Sequence, residues 1–303
     1  MTTRRFRLWL ALLSLIACAL TATASGESEK VLYTFTGVSD GSSPTSLTAD
    51  SKGNLYGTTT GGGNLSCNSG CGTVFELTPV QGGGWSKTTL YQFTGGSDGS
   101  APLGTISLDI AGDLYGTTYS GGDATCQCGV VFELSPTGSG WNEATLYTFT
   151  GANGWGPNSG IILDANGNLY GTTIGGGVNN YGTVFELSFT VGLWKETFLY
   201  SFSGLNNADG ESPAAGLTFD TLGNLYGTTL VGGDPSCNPS VGCGTVFELI
   251  SSSGTWNEKV LYSFKGGVTA AFLSVVSSWI ELETYTGRRR VTTLLAATAL
   301  FSS

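Results

Sequence analysis

The chain repeats itself four times, and the period of that repeat limits what it can fold into. Leu55-Tyr56-Gly57-Thr58-Thr59 runs through a glycine-rich loop to Gly72-Thr73-Val74-Phe75-Glu76-Leu77. The pair returns at 114–118 with 130–134, at 169–173 with 182–187 and at 225–229 with 244–249. Tyr56, Tyr115, Tyr170 and Tyr226 stand 59, 55 and 56 residues apart. A period of this length marks one supersecondary unit copied in tandem.

Each unit reads as four short strands. In the first, residues 46–49 alternate apolar and polar, and Asp50-Ser51-Lys52-Gly53-Asn54 is a turn whose Gly and Asn accept positive φ. Residues 55–59 are a second strand and 72–77, rich in Thr, Val and Phe, a third. Residues 85–93 alternate as the fourth, with Tyr91 and Phe93 on one face and Leu90 and Gln92 on the other. Four antiparallel strands per unit predict an all-β, β-propeller-like fold with blades of about 55–60 residues. The repeats span about 45–94, 103–150, 158–203 and 214–265. Residues 29–35 match 258–264 at six of seven positions, so residues 29–36 read as an isolated fourth strand placed to complete a final blade and hide its edge. An open β-solenoid is the competing architecture.

Composition narrows the chemistry. Every Arg lies near one end: Arg4, Arg5 and Arg7, then Arg288, Arg289 and Arg290. Between residues 26 and 267, six lysines face 20 carboxylates, a surplus of 14 negative charges. Such a surface repels phosphate backbones, which argues against nucleic acid as a partner. The chain has no His, which removes Ser-His and Cys-His nucleophile pairs and the commonest metal ligand. No cofactor is expected.

The N-terminus predicts export. Arg4-Arg5-Phe6-Arg7 is a basic region, residues 8–20 are apolar, and Ala22-Thr23-Ala24 offers a small-x-small cleavage site, so residues 1–24 read as a signal peptide. The apolar run is shorter than the ~20 residues of a membrane span. Leu15-Ile16-Ala17-Cys18 leaves a second route open, lipidation at Cys18 as in a bacterial lipobox. Either route predicts a mature chain that is extracellular or at the cell surface, without a transmembrane span.

The repeat resembles the Gloeobacter/Verrucomicrobia-type "choice-of-anchor" tandem repeat of bacterial surface proteins. The residues that carry the likeness are Gly53-Asn54-Leu55-Tyr56-Gly57-Thr58-Thr59, the Gly61-Gly62-Gly63 loop and residues 72–77, and it covers 31–267. The resemblance implies an exported bacterial protein, often with a C-terminal anchoring signal, and no established activity.

After Gly266-Gly267 the pattern vanishes. Joining the last base of each codon to the first two of the next restores it. Trp279-Ile280 then forces an Asp codon, residues 281–289 can yield A-G-N-L-Y-G-T-T, and residues 299–303 can yield T-V-F-E-L. Residues 268–303 therefore read as a frameshifted fifth repeat, expected to form no proper blade, and Arg288–Arg290 as no binding patch.

Several residue sets recur and are candidates for a role. Cys67 with Cys71, Cys126 with Cys128 and Cys237 with Cys243 share one loop of their repeats and predict local disulfides in an oxidising compartment. A metal site is the sharper alternative, but no second nearby Cys pair completes four ligands. Glu76, Glu133, Glu186 and Glu248 recur in the third strand, as Tyr56, Tyr115, Tyr170 and Tyr226 do in the second, and both sets read as structural parts of the repeat. A channel lined by those carboxylates would instead bind cations or sugars. Asp50, Asp109, Asp164 and Asp220 are expected to cap turns. Trp155 is either a sugar-stacking platform or the cover of a blade edge. These readings favour a non-catalytic surface protein, a structural scaffold or one that binds a glycan, a cell-envelope component or another protein. The alternative is a secreted glycoside hydrolase or lyase working through paired carboxylates.

Overall fold

A computed structural model describes residues 29–252 and 254–265 of the chain. The expected signal peptide at 1–24, Cys18 and the expected frameshifted repeat at 268–303 lie outside these residues.

The described chain is almost wholly sheet, arranged as four blades. The first holds β1 (Ser42–Ala49), β2 (Leu55–Gly61), β3 (Thr73–Val80) and β4 (Gly84–Gln92). The second holds β5 (Ser107–Leu108), β6 (Leu114–Thr118), β7 (Val130–Thr137) and β8 (Gly140–Thr148). The third holds β9 (Ile162–Leu163), β10 (Leu169–Thr173), β11 (Thr183–Thr190) and β12 (Leu193–Ser201). In the fourth the innermost strand is split into β13 (Gly210–Pro213) and β14 (Thr218–Phe219), followed by β15 (Leu225–Gly232), β16 (Thr245–Ser252) and β17 (Thr255–Ser263). Every blade is an antiparallel meander in chain order. This is the β-propeller-like architecture that the repeat predicts. No helix among the described residues is long and apolar enough to cross a membrane.

The turn between the first two strands forms as the sequence suggests. Asp50 Oδ1 accepts from the backbone N–H of Lys52 and Asn54, both at 2.8 Å, and Asp164 and Asp220 repeat the arrangement with Asn166 and Asn168 and with Leu222 and Asn224. Bonds to ionised oxygen are the stronger kind, and they hold Asp50, Asp164 and Asp220 below the ordinary carboxylate range even though burial works the other way.

The fourth strand departs from strict alternation. Val74 pairs with Tyr91, but Phe75 pairs with Thr89, so Leu90 is the extra residue of a β-bulge. The bulge recurs between Val131 and Phe132, Val184 and Phe185, and Val246 and Phe247. A bulge lets two successive side chains serve one face. Leu90 and Tyr91 accordingly pack into the same cluster, where simple alternation would put them on opposite faces.

The core is a set of three seams. Each cluster draws on two successive blades: Tyr56, Val74 and Phe93 with Ile106, Leu114 and Phe132; Tyr115, Val131 and Phe149 with Ile161, Leu169 and Phe185; Tyr170, Val184 and Phe202 with Leu217, Leu225 and Phe247. At the centre of each, a Phe just after one blade's outer strand meets the third-strand Phe of the next blade edge-on. The ring centroids lie 5.1, 5.2 and 5.1 Å apart for Phe93–Phe132, Phe149–Phe185 and Phe202–Phe247. Phe35 meets Phe75 in the same way at 5.0 Å.

Residues 29–36 nevertheless carry no strand, contrary to the sequence reading. The chain divides at Thr34/Phe35. A fourth strand is made by hydrogen bonds to the third strand of its own blade, and among the described residues all four third strands already have their partners.

Second-strand glycines make room for the seam rings. A Cβ on Gly116 would lie 2.5 Å from Phe132 Cζ, and one on Gly171 2.6 Å from Phe185 Cζ. Gly116→Ala is therefore expected to destabilise the fold by about 1–3 kcal/mol through overpacking, read as a lowered urea midpoint with an unchanged slope.

Candidate functional site

The innermost strands face a common axis, and a cavity of about 140 Å³ opens there. All four blades line it, through Thr45 and Ser46, residues 103–105, residues 158–160 and residues 214–216. The walls are small because the inner segments approach each other closely. A Cβ on Gly104 would fall 2.2 Å from Ser159 O, and one on Gly160 2.8 Å from Thr105 O. Hydroxyls tie successive blades together around the axis. Thr48 Oγ1 donates to Ile106 O at 2.6 Å, Thr117 Oγ1 to Ser159 O at 2.9 Å, and Thr172 Oγ1 to Pro213 O at 3.3 Å.

The lining is polar and carries no ionisable side chain. Its one amide is Asn158, whose Oδ1 is buried without a hydrogen-bond partner. The residues that follow the corresponding Pro in blades 2 and 4 are Leu103 and Ala214. A buried acceptor left open is an unusual expense in a fold, and a hydroxyl or water donor would satisfy it.

The repeated tyrosines and glutamates lie elsewhere, paired with each other. Tyr56 stands directly opposite Glu76 in the sheet, and its hydroxyl donates to Glu76 Oε1 at 3.1 Å. Tyr115–Glu133, Tyr170–Glu186 and Tyr226–Glu248 follow at 2.9, 3.1 and 2.7 Å. Burial, together with the neighbouring carboxylate, pushes Tyr56 up to about 12 and raises Tyr115, Tyr170 and Tyr226 further. None of these residues lines the axial cavity.

A second set of carboxylates, missed by sequence reasoning, lies at the seams. Glu143, Glu196 and Glu258 occupy one register position on the outer strands, opposite Leu134, Leu187 and Leu249, and Lys87 fills it opposite Leu77 in blade 1. Burial drives Glu196 and Glu258 up to about 7, with Asp209 adding to the effect at Glu258. Glu143 is raised as well, by burial and by Asp98. Each neighbours a tyrosine of the preceding blade that is anchored to a loop: Tyr91 on Asp98, Tyr147 on Asn153 and Tyr200 on Asp209. Lys87 instead donates to Asp40 O at 2.7 Å, its ammonium 5.8 Å from the centroid of the Phe35 ring. The signal was available in the sequence as Trp-x-Glu or Trp-x-Lys opening every fourth strand.

The cysteines pair within their loops as Cys67–Cys71, Cys126–Cys128 and Cys237–Cys243, with Cα separations of 5.0, 5.2 and 6.0 Å. In blade 3 hydrogen bonds do this work, Gly176 N–H donating to Asn180 Oδ1 and Asn179 Nδ2 to Phe202 O. Trp155 covers the same loop. Its Nε1 donates to Asn180 Oδ1 at 3.1 Å, and its ring lies so close over Gly175 that a Cβ there would sit 2.0 Å from Cε2. The described residues hold no group of three or more Cys, Asp and Glu side chains placed to bind a metal.

Against known families, the model of the Gloeobacter/Verrucomicrobia repeat matches residues 66–278. The chain belongs to this repeat family. No curated protein matches it. Among solved structures it is similar to a gluconolactonase of Xanthomonas campestris, at 12% identity and a TM-score of 0.41, over 72% of this chain and 61% of that one. It is also similar to PorZ, a surface component of the type-IX secretion system of Porphyromonas gingivalis, at 13% identity and a TM-score of 0.42, over 77% of this chain and 29% of that one. An endo-arabinase of Bacteroides thetaiotaomicron matches at 14% identity and a TM-score of 0.39, over 76% and 83%. The chain thus spans less than two thirds of the first two.

Proposed function

We propose that this member of the repeat family is exported and acts as a non-catalytic binding scaffold whose axial cavity takes a neutral, hydroxyl-bearing ligand, the chemistry of a cell-envelope glycan. The observation that carries this reading is an uncharged cavity lined by Ser, Thr, Gly, Ala and Leu103 together with Asn158, whose Oδ1 is buried beside it without a hydrogen-bond partner. A sugar hydroxyl supplies the donor that the amide lacks, and an uncharged lining suits an uncharged ring. Local cysteine pairs and a body without His or Arg fit a surface protein that neither holds a metal nor grips phosphate.

Calorimetric titration with neutral oligosaccharides tests it. Binding is expected, and Asn158→Leu, which borrows the residue of blade 2, should weaken it about tenfold, the worth of one hydrogen bond, with the fold intact. A protein that binds no neutral saccharide, or binds equally well after the substitution, removes the axial cavity from consideration.

A secreted carbohydrate-active enzyme is the second reading, favoured by Glu196 and Glu258, whose affinity for protons near neutral pH suits a general acid. On that reading, purified protein releases reducing ends from a polysaccharide, and Glu196→Gln or Glu258→Gln abolishes the release.

A further inference from the structure

We propose that the outer face of blade 4 docks onto blade 1 of a second copy of this chain, so that copies join head to tail. The three internal seams show what this face is built to do. In each, the Phe, Tyr and Leu that end one blade's outer strand are covered by the next blade. Among the described residues no blade covers the corresponding residues of blade 4. Phe93, Phe149 and Phe202 are fully buried, whereas Phe264 is part-exposed. Leu199 is 7% exposed and its counterpart Leu261 is 43% exposed. Tyr262 is 54% exposed, and Val246 is part-exposed where Val74, Val131 and Val184 are buried. Contiguous apolar surface of this kind marks an interaction site.

Blade 1 carries the matching surface. Leu47 is 53% exposed, while its equivalents Ile106, Ile161 and Leu217 are buried in seams. More directly, blade 1 already receives the ring that β17 would bring. Phe35 sits on Phe75 with the 5.0 Å edge-on geometry of the internal seams, and residues 29–35 repeat 258–264 at six of seven positions. The ring that Phe264 presents is therefore one that blade 1 accepts. In the joined pair Phe264 of one copy takes the place of Phe35 on the next. A complete four-stranded blade then replaces a segment without strand structure, with more apolar area removed from water.

Electrostatics single out blade 1 among the possible receivers. Blades 2, 3 and 4 each put a carboxylate into the seam they receive, through Glu143, Glu196 and Glu258, and burial raises the proton affinity of all three. Blade 1 has Lys87 at that position. A blade 4–blade 1 seam would bury no carboxylate there, and the Tyr262 hydroxyl would face an ammonium donor. Because the two faces differ, the contact is heterologous, and it propagates until a ring closes.

Light scattering across a dilution series of the full chain tests the proposal. Wild-type protein is expected to populate a concentration-dependent ladder of oligomers. Tyr262→Lys sets a like charge against Lys87 and spoils only the donor face, Leu47→Lys spoils only the receiving face, and both positions are exposed, so each variant should fold as wild type by circular dichroism. Each alone should self-associate at least about tenfold more weakly, the usual loss at a central interface residue. Mixed together they should form a 1:1 heterodimer and nothing larger, since one intact face of each kind remains. A full chain that stays monomeric at every concentration overturns the proposal, whether residues 266–303 cover the face or leave it bare. So does a mixture that forms no heterodimer, or a Tyr262→Lys variant that assembles as wild type does.

Discussion

Phe132→Ala is expected to lower the unfolding free energy by about 3–5 kcal/mol, the range for emptying a buried aromatic site. Phe132 is fully buried, packs edge-on against Phe93, and lies over the glycine of its own second strand. Its removal opens a void between two blades that neither sheet can close by itself, because each is constrained by its own ladder of hydrogen bonds. Phe264→Ala is the internal control. Phe264 is the blade-4 counterpart of Phe93, the ring that Phe132 packs against; it is part-exposed and lacks a covering blade among the described residues, so truncation there should cost roughly 1 kcal/mol or less. Urea melts of the two variants separate the effects. Equal losses would mean that blade 4 is as well covered as the others, and would count against the open face described above.

Raising the pH from 5 to 8 is expected to destabilise the protein through Glu196 and Glu258. Both bind protons more tightly when folded than an ordinary carboxylate, at about 7 against 4.5, because the seam buries them. The folded state thus holds more protons than the unfolded chain between those values. The stability associated with these groups is fully present below about pH 4.5 and is lost as the pH rises through about 7. Solvent reaches both side chains, so the loss should be on the order of 1 kcal/mol each once screening is allowed for. The Glu196→Gln/Glu258→Gln double variant should melt at a higher temperature than wild type at pH 8 and match it near pH 5. The other acidic residues contribute a shared background, so the difference between the two proteins at each pH is the quantity to read. A double variant that melts lower at pH 8 would mean that the ionised carboxylates are stabilised by a partner.

The sequence made the blades legible because everything that forms one blade is local. Asp50 caps its turn within four residues, and Tyr56 finds Glu76 across a single hairpin. The propeller-like arrangement followed from the period. The seams were harder to read. Tyr147 and Glu196 are 49 residues apart and meet only because two blades stack. The bulge at Leu90 was hidden for another reason, since an alternating strand and a bulged one share the same composition. The axial site was the least legible. Asn158 stands out only when its position is compared with Leu103 and Ala214, and those three residues share a location without sharing a motif. Residues 29–36 carry no strand, and among the described residues every third strand already has both of its partners.

Among the described residues each apolar cluster is closed by two successive blades. A gene built this way can lengthen or shorten by unequal recombination at any repeat boundary, and the join reproduces a contact the chain already makes. No compensating change elsewhere is required. Copy number is then free to drift between lineages while the contact itself is kept, so relatives should differ in how many repeats they hold far more than in which residues meet between them.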